Sequence, residues 1–495
     1  MKDKSCRCCS TSRRQFLTRG AGVLGATAAA VLLPGTVSAD PAGHASLPPP
    51  TGRYVLKNGV VISMDPNVGN FERADVLIEG KKIIAIGPDL KIDRDVRKVE
   101  AEGCIIIPGF IDTHHHQHQT AMRGLLAEAI LINDGQPDND FTYGNIVINK
   151  LNPVLRPEDV YLALLISSYS QLNAGVTTVV DTSQISNSPS HSDAAIQAFI
   201  DSGRRTLMAY SSGSGPDARY PQDIHRLKAR YFTAENPLLS LAMGAELLPG
   251  FRQNWALARE MGIPIVSHVV GLFGHEEVMG EIRAEKLLGP DNLLIHCTGL
   301  GKENWQYIAQ SGARLTIAAA TELTMRQGMP PFQQALDLAI QPSLSSDVEC
   351  AMSADFFTQM RTSYTLQRGL INQRVLDGEQ NVPALISCHD VLRFATLEGA
   401  KAAHLDSRTG SLTPGKEADI VMLRADTLNV MPLNNAAGTI VTLMDTSNVD
   451  TVIVAGKMLK QNGKMLGVDQ AALRVKIEAS RDYLLKAAEV KRHLF

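Results

Sequence analysis

The stretch "PGFIDTHHHQHQT", Pro108 to Thr120, carries four of the chain's 13 histidines within five positions. The apolar run that leads into it reads as a buried strand ending where the histidines begin. Alternation along an extended strand sends His114 and His116 to one face and His115 to the other. Two imidazoles on one face at a strand end can grip a single cation with little rearrangement. His118 and Gln119 lie past the strand end, where they are expected to line a pocket and touch substrate.

The same arrangement recurs downstream. "PIVSHVVG" ends an apolar run at His268, "NLLIHCTGL" ends another at His296, and "PSLSSDVEC" ends a third at Asp347. Between Pro108 and Thr409 there are eight such strand candidates: "GFIDTH", "GVTTVVD", "RTLMAY", "LSLAMGAEL", "PIVSHV", "NLLIHC", "RLTIAA" and "PSLSSD". Amphipathic segments such as "PEDVYLALLISSYSQLNAG" separate them and close near glycines, as helix C-termini do. Strand and helix alternating eight times predict an α/β fold, a (β/α)₈ TIM-like barrel over 108–409, with its chemistry where the strands end. Polar residues stand at those ends: His114, His116, Asp181, Glu246, His268, His296 and Asp347. For Glu246 the expected role is a carboxylate at the start of the following helix, where it favours the dipole.

The flanks have a different texture. From 52 to 107, and again from 410 to 466, short β-rich runs such as "ADVLIEGKKIIAIG" and "VDTVIVAGKMLKQNGKML" are broken by hairpin signals. Each piece is too small to stand alone, which predicts one composite β-sandwich domain made from both chain ends; 467–495 is expected as a C-terminal helix. At 495 residues, 44% hydrophobic and 20% charged, the composition is that of a soluble enzyme and gives no sign of a nucleic-acid partner.

Residues 1–39 read as a twin-arginine export signal: Arg13 and Arg14 precede a modest apolar run and a small-residue cleavage pattern at Val37-Ser38-Ala39. The run from Ala21 to Leu33 is shorter than the roughly 20 residues a membrane span needs. The segment holds six Lys or Arg against one Asp, so its removal takes the net charge from −3 to about −8. The expectation is an acidic protein of the periplasm or outside the cell, with no membrane attachment. Cys6, Cys8 and Cys9 leave with the signal. Cys104, Cys297, Cys350 and Cys388 show no C-x-x-C spacing and read as free thiols, with a disulfide left open.

Taken together, "PGFIDTHHH", "SHV", "HCTGL", "SSD" and the returning "GSLTPGKEADIVML" resemble the amidohydrolase superfamily over nearly all of the chain after the signal. "HHHQHQ" and "DFFTQMRTSYTLQRG" are similar to its branch of atrazine chlorohydrolase and the cytosine and guanine deaminases. The resemblance implies one divalent metal, zinc with iron as the alternative, held by His114, His116, His268 and Asp347 with an open position for water. It further implies that Asp347 moves the water's proton to the leaving group, and that His296 donates a hydrogen bond to water or substrate and stabilises negative charge. A binuclear site, bridged from the fourth strand with His296 as a ligand, is the other arrangement in the superfamily. The resemblance also implies a homo-oligomer acting on a small molecule.

One departure bears on the reaction. Deaminases of this branch carry a glutamate three residues after the strand-5 histidine, where it protonates a ring nitrogen; here that residue is Gly271. Hydrolysis of an amide, cyclic amide, urea or carbamate has no need of that acid and is the leading expectation. Deamination or dechlorination of a nitrogen heterocycle is the alternative, and an exported barrel that binds metal or ligand without catalysis is the third reading. Among the other histidines, His275 is expected in a surface or helix-capping role.

Overall fold

The computed structural model describes residues 52–133, 135, 140–492 and 494; the export-signal reading of residues 1–39 lies outside them. Strands β1 (Arg53–Ile62), β2 (Asn70–Glu79), β3 (Lys82–Gly87), β4 (Arg97–Glu100) and β5 (Cys104–Pro108) come from the first flank. The barrel strands are β6 (Phe110–His115), β7 (Val176–Ser183), β8 (Arg205–Tyr210), β9 (Leu239–Gly244), β10 (Ile265–Val270), β11 (Asn292–Thr298), β12 (Arg314–Ile317) and β13 (Ser343–Leu344). The second flank supplies β14 (Ile420–Arg424), β15 (Val449–Val454), β16 (Lys457–Gln461) and β17 (Lys464–Met465), followed by a helix over Gln470–Ala487.

The two flanks merge as expected, though into one continuous mixed sheet of order β17-β16-β15-β14-β5-β1-β2-β3, with β4 on β1. The seam is the antiparallel pair β5–β14, in which Val421 faces Ile107 and Leu423 faces Ile105. Tyr54, Val76 and Ile83 from the first flank share one core with Ile420, Met422 and Ile453 from the second. Burying both halves against each other is what neither achieves alone.

Gly109 alone separates β5 from β6. A Cβ there would lie 2.1 Å from Thr177 Oγ1, so only glycine lets the sheet run straight into the barrel. Arg205, fully buried at the start of β8, locks the two parts by pairing with Asp419 and Glu417, each at 2.7 Å.

All eight strand candidates of the middle region are strands of one parallel sheet in sequential order, β6 to β13. The ring closes between β13 and β6. Thr113 Oγ1 meets Ser343 Oγ at 2.8 Å and the Leu344 carbonyl at 2.9 Å, and Asp347 N donates to the His114 carbonyl at 3.0 Å. Val180, Leu207, Val266, Leu293 and Ile295 fill the interior, plugged by Ala402 at the end of the helix Leu397–Ala402 and by Ala403 and Leu405 just after it. Trp255 and Trp305 are packed in the core, and the four remaining cysteines are free thiols. Among the described residues, no helix is long and apolar enough to cross a membrane.

Candidate metal centre and cavity

Strand β6 does not alternate strictly. Its register with β7 slips by one residue between Asp112 and His115, a bulge that lets both Thr113 and His114 face inward. His114 and His116 then converge on Asp347, with His114 Nε2 3.0 Å and His116 Nε2 3.6 Å from Asp347 Oδ1. His268 Nε2, from β10, lies 3.3 Å from His114 Nε2. At the end of β11 the chain kinks through two left-handed residues, His296 (φ 72) and Cys297 (φ 54). That kink brings His296 Nε2 to 3.8 Å from Asp347 Oδ2, although its neighbour Ile295 already faces the barrel interior.

The outer nitrogens fix these rings. His268 Nδ1 donates to Glu246, 2.8 and 2.9 Å from its two oxygens, and His296 Nδ1 donates to Glu322 Oε1 at 2.9 Å. His114 Nδ1 meets Thr182 Oγ1 at 2.8 Å. The inner nitrogens of His268 and His296 are thereby left to accept at a common centre, and His114 is anchored beside them, while His116 Nδ1 has no such partner. Burial pushes His114 down to about 3 and His116 well below the ordinary imidazole value. Burial opposes ionisation of Asp347, but His114, His296 and His116 together hold its carboxyl far below the usual range. Ligating atoms of His114, His116 and His268 lie within 4.8 Å of one another, as do those of His114, His296 and Asp347. Imidazole nitrogens and a buried carboxylate in that arrangement fit a divalent cation.

His115 faces away from this centre, as alternation requires, and it is the clasp of the barrel. Its Nδ1 donates to the Asp347 carbonyl at 2.9 Å, and its Nε2 accepts from Ser167 Oγ at 3.2 Å on the helix Pro157–Asn173. Asp112 beside it accepts from Ser346 N and from Gln171 Nε2, and buried Arg204 donates to Gln171 and Gln117. Asp347 has a left-handed backbone (φ 62), which costs a non-glycine residue about 1 kcal/mol or more; this network supplies the restraint.

Above the histidines opens a cavity of about 530 Å³. Two expected substrate contacts do not line it. Gln119 stands behind the wall, its Nε2 donating to Tyr143 Oη at 2.6 Å, and it is Tyr143 that faces the cavity. His118 is buried behind His116, ring centroids 5.9 Å apart. Both belong to the turn Gln117–Met122 that follows β6, and the turn points their side chains into packing.

Other residues enter the site that the sequence assigned elsewhere. Glu246 is not a helix-start carboxylate: the next helix begins only at Phe251, and Glu246 lines the cavity while holding His268. Its position at the end of a strand candidate was the signal available. His275 is buried and lines the cavity, its Nδ1 accepting from Val270 N at 3.1 Å. Gln184 and Gln327 also face inward, and Gln327 Nε2 reaches Asp347 Oδ2 at 3.5 Å. Glu322 comes from a short helix after β12, where no spacing signal marks it.

Comparison with known proteins agrees with this architecture. Residues 105–459 match the Amidohydrolase family. The chain is 25% identical to 5'-deoxyadenosine deaminase of Methanosarcina mazei, covering 84% of this chain and 94% of that protein. It is 23% identical to 5-methylthioadenosine/S-adenosylhomocysteine deaminase of Caldicellulosiruptor saccharolyticus, covering 88% and 99%. Among solved structures, a zinc-bound adenosine deaminase from Xanthomonas campestris superposes with a TM-score of 0.75 at 19% identity, covering 89% of this chain and all of that one. Atrazine chlorohydrolase of Arthrobacter aurescens, complexed with zinc, gives 0.75 at 21% identity, covering 86% and 100%. The chain belongs to the amidohydrolase family and is a metal-dependent hydrolase acting on carbon–nitrogen bonds.

Proposed function

We propose that this enzyme hydrolyses an amide-type carbon–nitrogen bond, in an amide, cyclic amide, urea or carbamate of a small molecule, and that its metal is zinc. One observation carries the reading: among the described residues lining the cavity, the carboxylates are Glu246 and Asp347, and histidines pin both. Neither is a free acid for a ring nitrogen, and Gly271 has no room to become one. A Cβ on Gly271 would stand 2.8 Å from the Gly299 carbonyl oxygen.

His114, His116, His268 and Asp347 would hold a divalent cation, which would supply a Lewis acid and lower the pKa of a water. Asp347 Oδ2 takes the proton from the attacking water and passes it to the departing nitrogen. His296, fixed by Glu322, donates to the oxygen on which negative charge grows. Gln327 holds Asp347 in line. Zinc as the ion draws support from the zinc-bound solved relatives. Chelation should abolish turnover and added zinc restore it, and a panel of amides, ureas and carbamates should yield the freed amine. Ammonia from purines, pyrimidines or triazines, with no hydrolysis of the panel, would overturn the reading.

Deamination or dechlorination of a nitrogen heterocycle is the second reading. It is favoured by the names of the relatives and by Glu246, which reaches the cavity one strand before the usual position of the acid. We further propose twin-arginine export and assembly into a homo-oligomer. Cell fractionation of an Arg13→Lys/Arg14→Lys variant tests the first, and sedimentation of the purified enzyme tests the second.

A further inference from the structure

We propose that the substrate is a molecule without anionic groups that carries an apolar arm, which runs from the scissile bond at the histidines to the cavity mouth and is received there by Phe273, Leu248 and Ile148. The inference rests on the hydrolase reading above and narrows its substrate class. Large apolar side chains exposed one at a time are ordinary on a protein surface. Here Phe273 (44% exposed), Leu248 (59%) and Ile148 (45%) come from three separate segments and line one cavity. Leu131, Val278 and Met325 continue the apolar lining. The described lining includes no lysine or arginine, so a carboxylate, phosphate or sulfate on the arm would lose its water without a cationic partner. Asn152, Gln184, Ser212 and Ser214 line it too and provide neutral hydrogen-bonding groups, which suit the polar atoms of an amide, urea or carbamate.

The turn after β10 ties this surface to the missing acid. Gly271 passes so close to the Gly299 carbonyl that any side chain is excluded, and the chain then winds through Gly271–Phe273 to Gly274 (φ 76). His275 holds the turn by accepting from Val270 N, and the Phe273 ring packs edge-on against the His275 ring, centroids 5.8 Å apart. The backbone path that forbids a carboxylate at 271 is the one that brings Phe273 to the cavity. A cavity of about 530 Å³ takes a molecule of drug size.

The test uses metal-loaded enzyme and the para-nitroanilides of straight-chain acids from acetic to decanoic. kcat/KM should rise about fourfold per added methylene until the mouth is filled. A chain ending in carboxylate should lose that gain, and the Phe273→Ser/Leu248→Ser variant should flatten the series. Straight-chain hydroxamic acids, titrated by calorimetry, read the same surface without turnover. Hydrolysis whose rate ignores chain length, with hydroxamate affinities equally flat, would overturn the apolar-arm inference and leave the hydrolase reading standing. Hydroxamate affinities that climb with length while no amide is cleaved would do the reverse. Because both series run on the unmodified enzyme, a variant that fails to fold does not decide the matter.

Discussion

The ends of β6 and β10 both present histidines to one centre, and they are built in opposite ways. At β6 the chain is clasped: His115, Asp112, Gln171 and Arg204 form a buried polar network that fixes the backbone of His114, His116 and Asp347. At β10 the chain leaves through Gly271 into a half-exposed apolar turn, held by His275 and by the turn's own bond from Gly274 N to the Gly271 carbonyl. Rigid strand ends carry the donor set, where a displacement of a few tenths of an ångström matters. The mobile end of the scale, loops, carries what distinguishes one substrate from another.

That contrast is open to direct attack. Asp347→Asn keeps the shape of the clasped side and removes the proton carrier of the proposed mechanism, and turnover should fall by about 10³-fold or more while the melting temperature changes little. Unchanged turnover would take Asp347 out of the mechanism. His115→Ala leaves every inner nitrogen in place but removes one of the two hydrogen bonds to the Asp347 carbonyl, leaving that from His116 N; kcat should drop about 10- to 100-fold with KM nearly constant, and chelators should strip the metal faster. If KM moved instead, His115 would belong to the substrate side. On the open side, Gly271→Ala forces a backbone shift against Gly299, with a loss of about 2 kcal/mol in denaturant unfolding and a rise in KM for apolar amides.

The smallest effect probes the joint between sheet and barrel. Glu417 is held down to about 2: burial opposes ionisation, but Arg205 and Arg408 more than offset it. A carboxyl depressed in the folded state contributes stability above its unfolded value of about 4.5 and loses it as pH falls toward 2. After discounting for solvent screening, the contribution is about 1–2 kcal/mol. Urea unfolding at pH 7, 4 and 3 should show it in the native chain, and Glu417→Gln should remove that part of the acid slope.

Much of this was legible in the sequence, for definable reasons. The barrel strands are short apolar runs with a polar residue at a constant offset, so His114, His116, His268, His296 and Asp347 declare themselves by position. The direction of His115 followed from alternation, but its bond to the Asp347 carbonyl joins residues 232 positions apart and leaves no local trace. Glu246 was visible at a strand end yet carries the chemistry of a helix cap as well, and only the bond to His268 separates the two roles. Gln119 and His118 erred the other way: proximity in sequence suggested the cavity, and a tight turn buried them. The flanking strands were readable one by one. Their union followed from each piece being too small to stand alone, but the pairing of β5 with β14 that makes it one continuous sheet joins distant segments and is not encoded in periodicity.

That union has a consequence for how the molecule is made. Strand β5 is paired on one side by β1, and its other edge waits for β14, whose first residue, Ile420, lies beyond the entire barrel. At about 5–20 residues per second, the ribosome leaves that edge unpartnered for roughly 15 to 60 seconds. An uncovered strand of five buried residues, "CIIIP", is a template for wrong partners during that interval. Completion of the sheet therefore comes late, after the barrel has been synthesised, and reports that the whole catalytic unit is present. A chain truncated before Ile420 should be found with chaperones or in aggregates rather than as a free-standing barrel.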